Sequence, residues 1–214
     1  MKIIIACAGN SKRFSTGKPK HIEYINGEPN INRTINILNR LNIKNIKITV
    51  SEKNKFYFEN LNIPLIIGSC EREIDRYRNI FTELEDKTII LYGDVVYDID
   101  DLCSILSYTS KNNIFFGRLF KNKLTKKPHG EIFGVIVNDK EKFIKDTNKT
   151  AKLFEEKKIQ RELGWDVYRV SEKLNLDIRN VVKTKNFLEV SDMTDDFDTY
   201  QEYEIIKKIY ENKK

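Results

Sequence analysis

The sequence predicts an α/β protein of three-layer, Rossmann-like build: a mostly parallel sheet with helices on both faces. Three observations carry that expectation. Apolar runs alternate with segments of helical spacing four times in the first hundred residues. The links between them are short, which favours neighbouring parallel strands joined by helices. Two loops rich in small or acidic residues follow the first and fourth runs, where ligands bind in such sheets, beyond the C-terminal ends of the strands.

The elements follow in order. Residues 2–8 form the first strand by a continuous apolar run through Ile3, Ile4 and Ile5. Ile31, Thr34, Ile35, Leu38 and Leu41 recur at the spacing of one helix face. IKITV at 46–50 is the second strand, 52–59 a short helix, PLII at 64–67 the third strand, and 71–84 a helix rich in Glu and Arg. TIILY at 88–92 is the fourth strand and ends at Gly93 and Asp94. A helix near 100–110 follows. The second half mixes strands near 113–119, 132–138 and 178–184 with helices near 140–158, 165–174 and 199–212. No repeat, Pro-rich linker or low-complexity tract divides the chain, so one domain over residues 1–214 is expected.

Composition narrows the function. Hydrophobic residues at 40% and charged residues at 33% are those of an ordinary folded domain. The longest apolar stretches fall far short of the roughly 20 residues of a membrane span. Met1 and Lys2 lead directly into a strand with no apolar signal region, so a cytoplasmic address is expected. Cys7, Cys70 and Cys103 show no CxxC pair; they read as reduced, buried fillers rather than a zinc site or disulfide framework. The net charge of +6 fits nucleic acid or small anionic substrates equally. No helix-turn-helix, RNP or zinc-finger pattern supports a nucleic-acid binder, however.

The most informative segment is residues 6–21, ACAGNSKRFSTGKPKH. Ala6, Ala8, Gly9 and Ser11, with Asn10 among them, leave backbone N–H groups free to approach an anion. Arg13, Lys18 and Lys20 add positive charge. An NTPase P-loop fails here, since Lys12 and Pro19 break its pattern, and a dinucleotide GxGxxG fails at Ser11 and Phe14.

The segment resembles the signature of nucleotidyltransferases with a GT-A-like fold, a strand followed by A-G-x-G-x-R and then P-K. The matching residues are Ala8, Gly9, Ser11 in place of the second glycine, Arg13, Pro19 and Lys20. Further matches cover most of the chain. GSCERE, Gly68 to Glu73, is similar to the segment with which cytidylyltransferases read the base, which places Gly68, Ser69 and Arg72 at the nucleotide. TIILYGDVVYD resembles the strand that ends in a metal-binding aspartate, here Asp94 preceded by Gly93. DDFDTYQEYE resembles the closing motif and implies a second metal ligand at Asp198, with Asp196 and Asp192 as alternatives. KPHGEIFG resembles an acceptor-lining stretch, implying Lys127, Glu131 and Gly134, although a hairpin turn fits it equally. Trp165 and Asp166 open a helix as acceptor contacts, or as core residue and cap.

The resemblance implies a division of labour, with residues 1–110 binding the nucleotide and 111–214 supplying acceptor contacts and a metal ligand. It implies Mg²⁺, whose preference for hard oxygens two aspartates satisfy. The expected reaction joins a nucleoside monophosphate, from CTP or else UTP, to a small phosphorylated acceptor such as a sugar phosphate, releasing pyrophosphate. Arg13 and Lys20 are the expected catalytic cations. No general base is needed, since a phosphate monoester is already largely ionised at neutral pH, its second pKa being about 6. A rival reading is a metal-dependent GT-A glycosyltransferase using the D-x-D of Asp98, Ile99 and Asp100. Acceptor identity and oligomeric state are not encoded in any motif.

Overall fold

Strand β1 (Lys2–Ala6) is an interior strand of the sheet, paired on both sides, and its three isoleucines are fully buried. In the computed structural model, residues 1–9, 14, 17–176 and 182–212 are described. After β1 come a hairpin of β2 (Tyr24–Ile25) and β3 (Glu28–Pro29), then α1 (Asn30–Arg40), β4 (Ile46–Val50), β5 (Leu65–Ile67) and α2 (Asp75–Arg78). Next are β6 (Thr88–Tyr92), β7 (Val95–Val96), α3 (Ile99–Ser107), β8 (Ile114–Arg118) and β9 (Glu131–Val137). The chain continues through α4 (Lys140–Glu155), α5 (Gly164–Ser171), β10 (Phe187–Glu189), β11 (Asp195–Asp196) and α6 (Tyr200–Glu211).

Among the described residues these strands form a seven-stranded sheet in the order β10-β8-β9-β6-β1-β4-β5. β1 pairs in parallel with both β4 and β6, and β4 with β5. The central strands are continuous runs of β-branched residues because both faces are covered by helices. Each isoleucine so buried contributes about 1.5–3 kcal/mol. β9 is the exception in direction, running antiparallel to both β6 and β8. The long excursion between β8 and β9, residues 119–130, therefore returns beside the carboxyl end of β6 and brings Lys127 and Glu131 with it.

A second, smaller apolar cluster joins Phe14, Ile25, Val96, Phe197, Tyr203, Ile206 and Tyr210. It clamps α6 and the β7/β11 ribbon onto the opening loop, so the last fifth of the chain meets the first. Thr199 caps α6, accepting from the Glu202 N–H at 3.3 Å, while the Glu202 carboxylate accepts from the Thr199 N–H, a reciprocal capping box.

The structure shortens several expected elements. β1 ends at Ala6 rather than residue 8. The helix expected at 52–59 is two short 3₁₀ turns, because the Asn54 side chain is spent on the Ser51 N–H and hydroxyl and on the Cys7 carbonyl. The helix expected at 71–84 is helical only over Asp75–Arg78. There the Asp75 carboxylate accepts from Ser69 Oγ and the Arg72 N–H, and the Asn79 amide bridges the Ser69 backbone. Those local bonds substitute for a first helical turn. The strand expected at 178–184 falls mostly outside the described residues, and the strand here is β10, parallel to β8. Of the cysteines only Cys7 is buried; Cys70 is half-buried and Cys103 exposed, and none of the three is in a disulfide.

Candidate active site

A cavity of about 670 Å³ opens at the carboxyl ends of β1 and β6. Ala6, Ala8 and Gly9 reach it from β1, and Asp94 from the turn after β6. Gly93 permits that turn: a Cβ there would lie 2.3 Å from Cys7 Sγ, so only glycine lets β6 turn against β1.

Three carboxylates from two distant segments meet at one end of this cavity. Asp94, Asp196 and Asp198 place ligand oxygens all within 4.8 Å of one another. The Lys20 ammonium bridges two of them, 2.7 Å from Asp94 and 2.9 Å from Asp198, and donates to the Phe197 carbonyl at 2.9 Å. Burial works against a charged Lys20, but Asp94, Asp198 and Asp196 overcome it and hold its pKa above the ordinary value. Burial likewise opposes an ionised Asp94, yet Lys20, His21 and Arg76 hold its carboxyl well below the usual carboxylate range. Asp196 is pushed upward by burial, reinforced by Asp94 and Asp195, although Lys127 sits 2.6 Å away. Glu131 is also raised, first by burial and then by the charge of Asp196. His21 is buried and neutral, its pKa pushed down to about 4 by desolvation, and its Nδ1 has no hydrogen-bond partner among the described residues.

The other expected site residues separate into groups. Ser69, Arg72, Glu131 and Trp165 line the cavity with Ala8, Gly9, Lys20 and the three aspartates. The Arg72 guanidinium is held by two hydrogen bonds to Glu162, at 2.8 and 2.5 Å, and one to Glu155 at 2.7 Å. It braces the 68–73 segment against the end of α4 and the approach to α5. Lys127 sits behind Asp196 and positions it. Gly68 packs against Asn79, and Gly93 packs against Cys7 and His21; neither is on the cavity wall. Gly134 is not brought to the cavity: it lies mid-β9 against the Ile90 carbonyl and the Phe116 ring. Asp166 is turned into its own helix start, accepting from the Leu163 N–H at 2.9 Å. Asp192 is outside the acidic cluster, and Asp98 caps α3 by accepting from the Asp100 N–H at 3.1 Å. Arg13, Asn10 and Ser11 lie outside the described residues.

No family model matches the chain. A bifunctional sugar-1-phosphate nucleotidylyltransferase/acetyltransferase of Sulfurisphaera tokodaii is 27% identical over 165 residues, 74% of this chain and 37% of that protein. The bifunctional protein GlmU of Coxiella burnetii is 27% identical over 121 residues, 53% of this chain and 27% of its own length. The chain thus spans about a third of the length of these relatives. A Bacillus anthracis protein assigned as a glucose-1-phosphate thymidylyltransferase superposes with a TM-score of 0.69 at 14% identity, covering 100% of this chain and 96% of its own. The CTP:phosphocholine cytidylyltransferase of Streptococcus pneumoniae gives 0.62 at 16% identity, covering 97% and 98%. The chain is thus similar in sequence, at 27% identity, to a sugar-1-phosphate nucleotidylyltransferase/acetyltransferase, and in fold to nucleotidyltransferases. Its mostly parallel sheet is the fold of that group.

Two arginines of the cavity, Arg76 and Arg161, escaped the sequence reading. Arg76 lies 4.3 Å over the Tyr92 ring and is close enough to Asp94 for each to shift the other's charge. Arg161 lines the wall that precedes α5. Neither belongs to a motif; the one available signal was the density of arginines in 72–78.

Among the described residues, no helix is long and apolar enough to cross a membrane.

Proposed function

We propose that the chain transfers a nucleoside monophosphate from an NTP to a small phosphorylated acceptor and releases pyrophosphate. The supporting observation is the meeting of Asp94, Asp196, Asp198 and Lys20 at the mouth of the β1 loop. An acceptor phosphate oxygen attacks the α-phosphorus, the new P–O–P bond forms, and the α–β bond breaks with its electron pair leaving on pyrophosphate. The new diphosphate linkage joins nucleoside and acceptor.

A divalent metal fits the residues present. Three hard carboxylate oxygens within 4.8 Å suit Mg²⁺, which takes one or two carboxylates and leaves its other positions to phosphates and water. Asp94 and Asp198 are the proposed ligands with Asp196 beside them, and the metal supplies neutralisation of charge at the reacting phosphate. Lys20 and Arg13 bind the triphosphate and stabilise the departing pyrophosphate. Lys127 holds Asp196 in place. Ser69 and the backbone of 68–72 face the base, and Arg72 fixes that segment through Glu162 and Glu155. CTP is the favoured donor, from the likeness of GSCERE to cytidylyltransferases, with UTP second. Glu131 and Trp165 line the acceptor side.

Nothing in the geometry favours glycosyl transfer, since the Asp98–Asp100 pair is occupied at the start of α3. The test is incubation with each NTP, Mg²⁺ and a panel of sugar and alcohol phosphates, with pyrophosphate as the readout. Release that needs both NTP and acceptor supports the reading; silence in every combination overturns it.

A further inference from the structure

Asn30 is the first residue of α1 and is fully buried, so the chain places a polar amide where an apolar side chain would pack more cheaply. Its Nδ2 donates to the Gly93 carbonyl at 3.2 Å and to the Val95 carbonyl at 3.0 Å. Those two residues stand on either side of Asp94. The Asn30 Oδ1 has no hydrogen-bond partner among the described residues, and a buried acceptor left unpaired is unfavourable. What the amide contributes is therefore its two donations. Turned over, it would set an oxygen against two carbonyl oxygens.

The same residue also reaches the cation of the site. The Asn30 N–H donates to the Glu23 carbonyl at 2.8 Å, and the Glu23 N–H donates to the Lys20 carbonyl at 3.2 Å. Lys20 opens that short turn and sends its ammonium to Asp94 at 2.7 Å. Asn30 thus closes a ring that runs from the Lys20 turn to the Asp94 turn and back through the ion pair. A further arm leaves from Val95, because β7 pairs with β11 and sets Asp196 opposite it. One turn along α1, Arg33 donates to the Tyr97 carbonyl at 2.6 Å, so the helix holds the alternate carbonyls of 93, 95 and 97. Of these contacts, the two made by Asn30 adjoin Asp94.

We infer that Asn30 is a positioning residue: through the backbone on both sides of Asp94 it sets that carboxylate in the geometry a divalent cation requires. This rests on the proposed metal-dependent nucleotidyl transfer. Mg²⁺ demands near-ideal octahedral geometry, whereas a carboxylate on a turn between two strands has no helix to hold it. Hydrogen bonds behind a ligand supply that orientation.

Mn²⁺ is the probe, since it takes the same hard oxygen ligands and its free ion gives an electron paramagnetic resonance signal that is lost on binding. Neither nucleotide nor turnover is needed. Wild-type protein, Asn30→Ala, Asn30→Ser and Arg33→Met are titrated and melted, and Asp94→Asn identifies the signal that belongs to this site. Expected is an Mn²⁺ dissociation constant raised about tenfold or more in both Asn30 variants. Arg33→Met should melt lower while its Mn²⁺ affinity changes less than about twofold, because its contact lies beyond the Asp94 turn. Asn30 variants that melt lower yet bind Mn²⁺ as wild type does overturn the inference. So do equal weakening in Arg33→Met and wild-type protein that binds no Mn²⁺. If one Asn30 variant fails to melt cooperatively the other decides, and failure of both makes the residue structural and overturns the inference equally. Mn²⁺ affinity that depends on Asn30 in a protein releasing no pyrophosphate with any NTP sinks the transferase reading and leaves this inference standing. Turnover with Mn²⁺ binding that ignores Asn30 does the reverse.

Discussion

Asp195 and Asp196 are neighbours in β11, yet strand alternation sends their carboxylates into opposite environments. Asp195 is almost fully buried and accepts from Arg118 at 2.7 Å, Asn122 at 3.0 Å and Thr125 at 2.5 Å. The Asp196 N–H adds a further bond at 3.0 Å. Arg118 in turn donates to the Phe120 and His129 carbonyls, which anchors both ends of the β8–β9 excursion. Asp196 instead joins Asp94 and Asp198, three carboxylates served by two lysines. One cluster is complete without anything from outside; the other holds surplus negative charge at a cavity. The first builds the scaffold that the second uses.

The sharpest way to break this contrast is Arg118→Met. It strands a buried carboxylate and is expected to cost about 3–5 kcal/mol of unfolding free energy at neutral pH, measured by urea denaturation. A loss below about 1 kcal/mol means that the Asp195 network is not structural. Asp196→Asn should behave in the opposite manner: melting should hold or rise as like-charge crowding is relieved, while pyrophosphate release falls on the order of 10²-fold or more. Asp94→Asn should cut turnover likewise but lower melting, since the fold favours that carboxylate in its charged form through Lys20. Mg²⁺ should raise the melting temperature of wild-type protein, since a ligand that binds only the folded state stabilises it. Asp94→Asn should lose that shift. An Asp94→Asn protein with wild-type turnover removes the acidic cluster from the chemistry.

The same contrast explains what could be read from residues alone. The central strands were legible because burial on both faces demands unbroken apolar runs, and Ile3–Ile5 and TIILY supply them. Asp94 was legible because it ends such a run. Which acid of Asp192, Asp196 and Asp198 faces the cavity was not, since a two-residue strand has too little pattern to reveal its phase. Arg72 and Arg76 are four apart in a run that reads as one long helix, which conceals that Ser69, Asp75 and Asn79 tie it into a turn. Their different partners, Glu162 for one and Tyr92 for the other, come from segments far along the chain. Gly134 and Asp166 were misplaced for the opposite reason: their local composition looks like a site, while their tertiary neighbours make them a strand contact and a cap.

A smaller effect probes how firmly α6 holds the second carboxylate. Glu202 Oε2 accepts from the Asp198 N–H at 2.7 Å, and Thr199 completes the box. Thr199→Ala should cost about 1 kcal/mol of stability. It should also weaken the Mg²⁺-dependent rise in melting temperature, because Asp198 directly precedes the loosened cap. Thr199→Ser should restore both. Loss of stability with an unchanged Mg²⁺ response separates the cap from the metal ligand.

The smallest effect calibrates the comparison with a carboxylate that water reaches. Glu83 sits at the opposite end of β1, 3.1 Å from Lys2 and 2.6 Å from Lys47. Hydrogen bonds from Lys47 and then Lys2 hold its pKa below the ordinary glutamate value. A depressed carboxylate stabilises the fold fully above the unfolded pKa, about 4.3, and that contribution disappears as pH falls through the lower folded value. Denaturation midpoints of wild type should therefore fall more steeply than those of Glu83→Gln on acidification below about pH 4.3. The difference at neutral pH should shrink in 1 M salt, since the side chains are partly exposed and screened. Curves that stay parallel across this range mean that the Lys2–Glu83–Lys47 group contributes no net stability, and that only the desolvated Asp195 pair does.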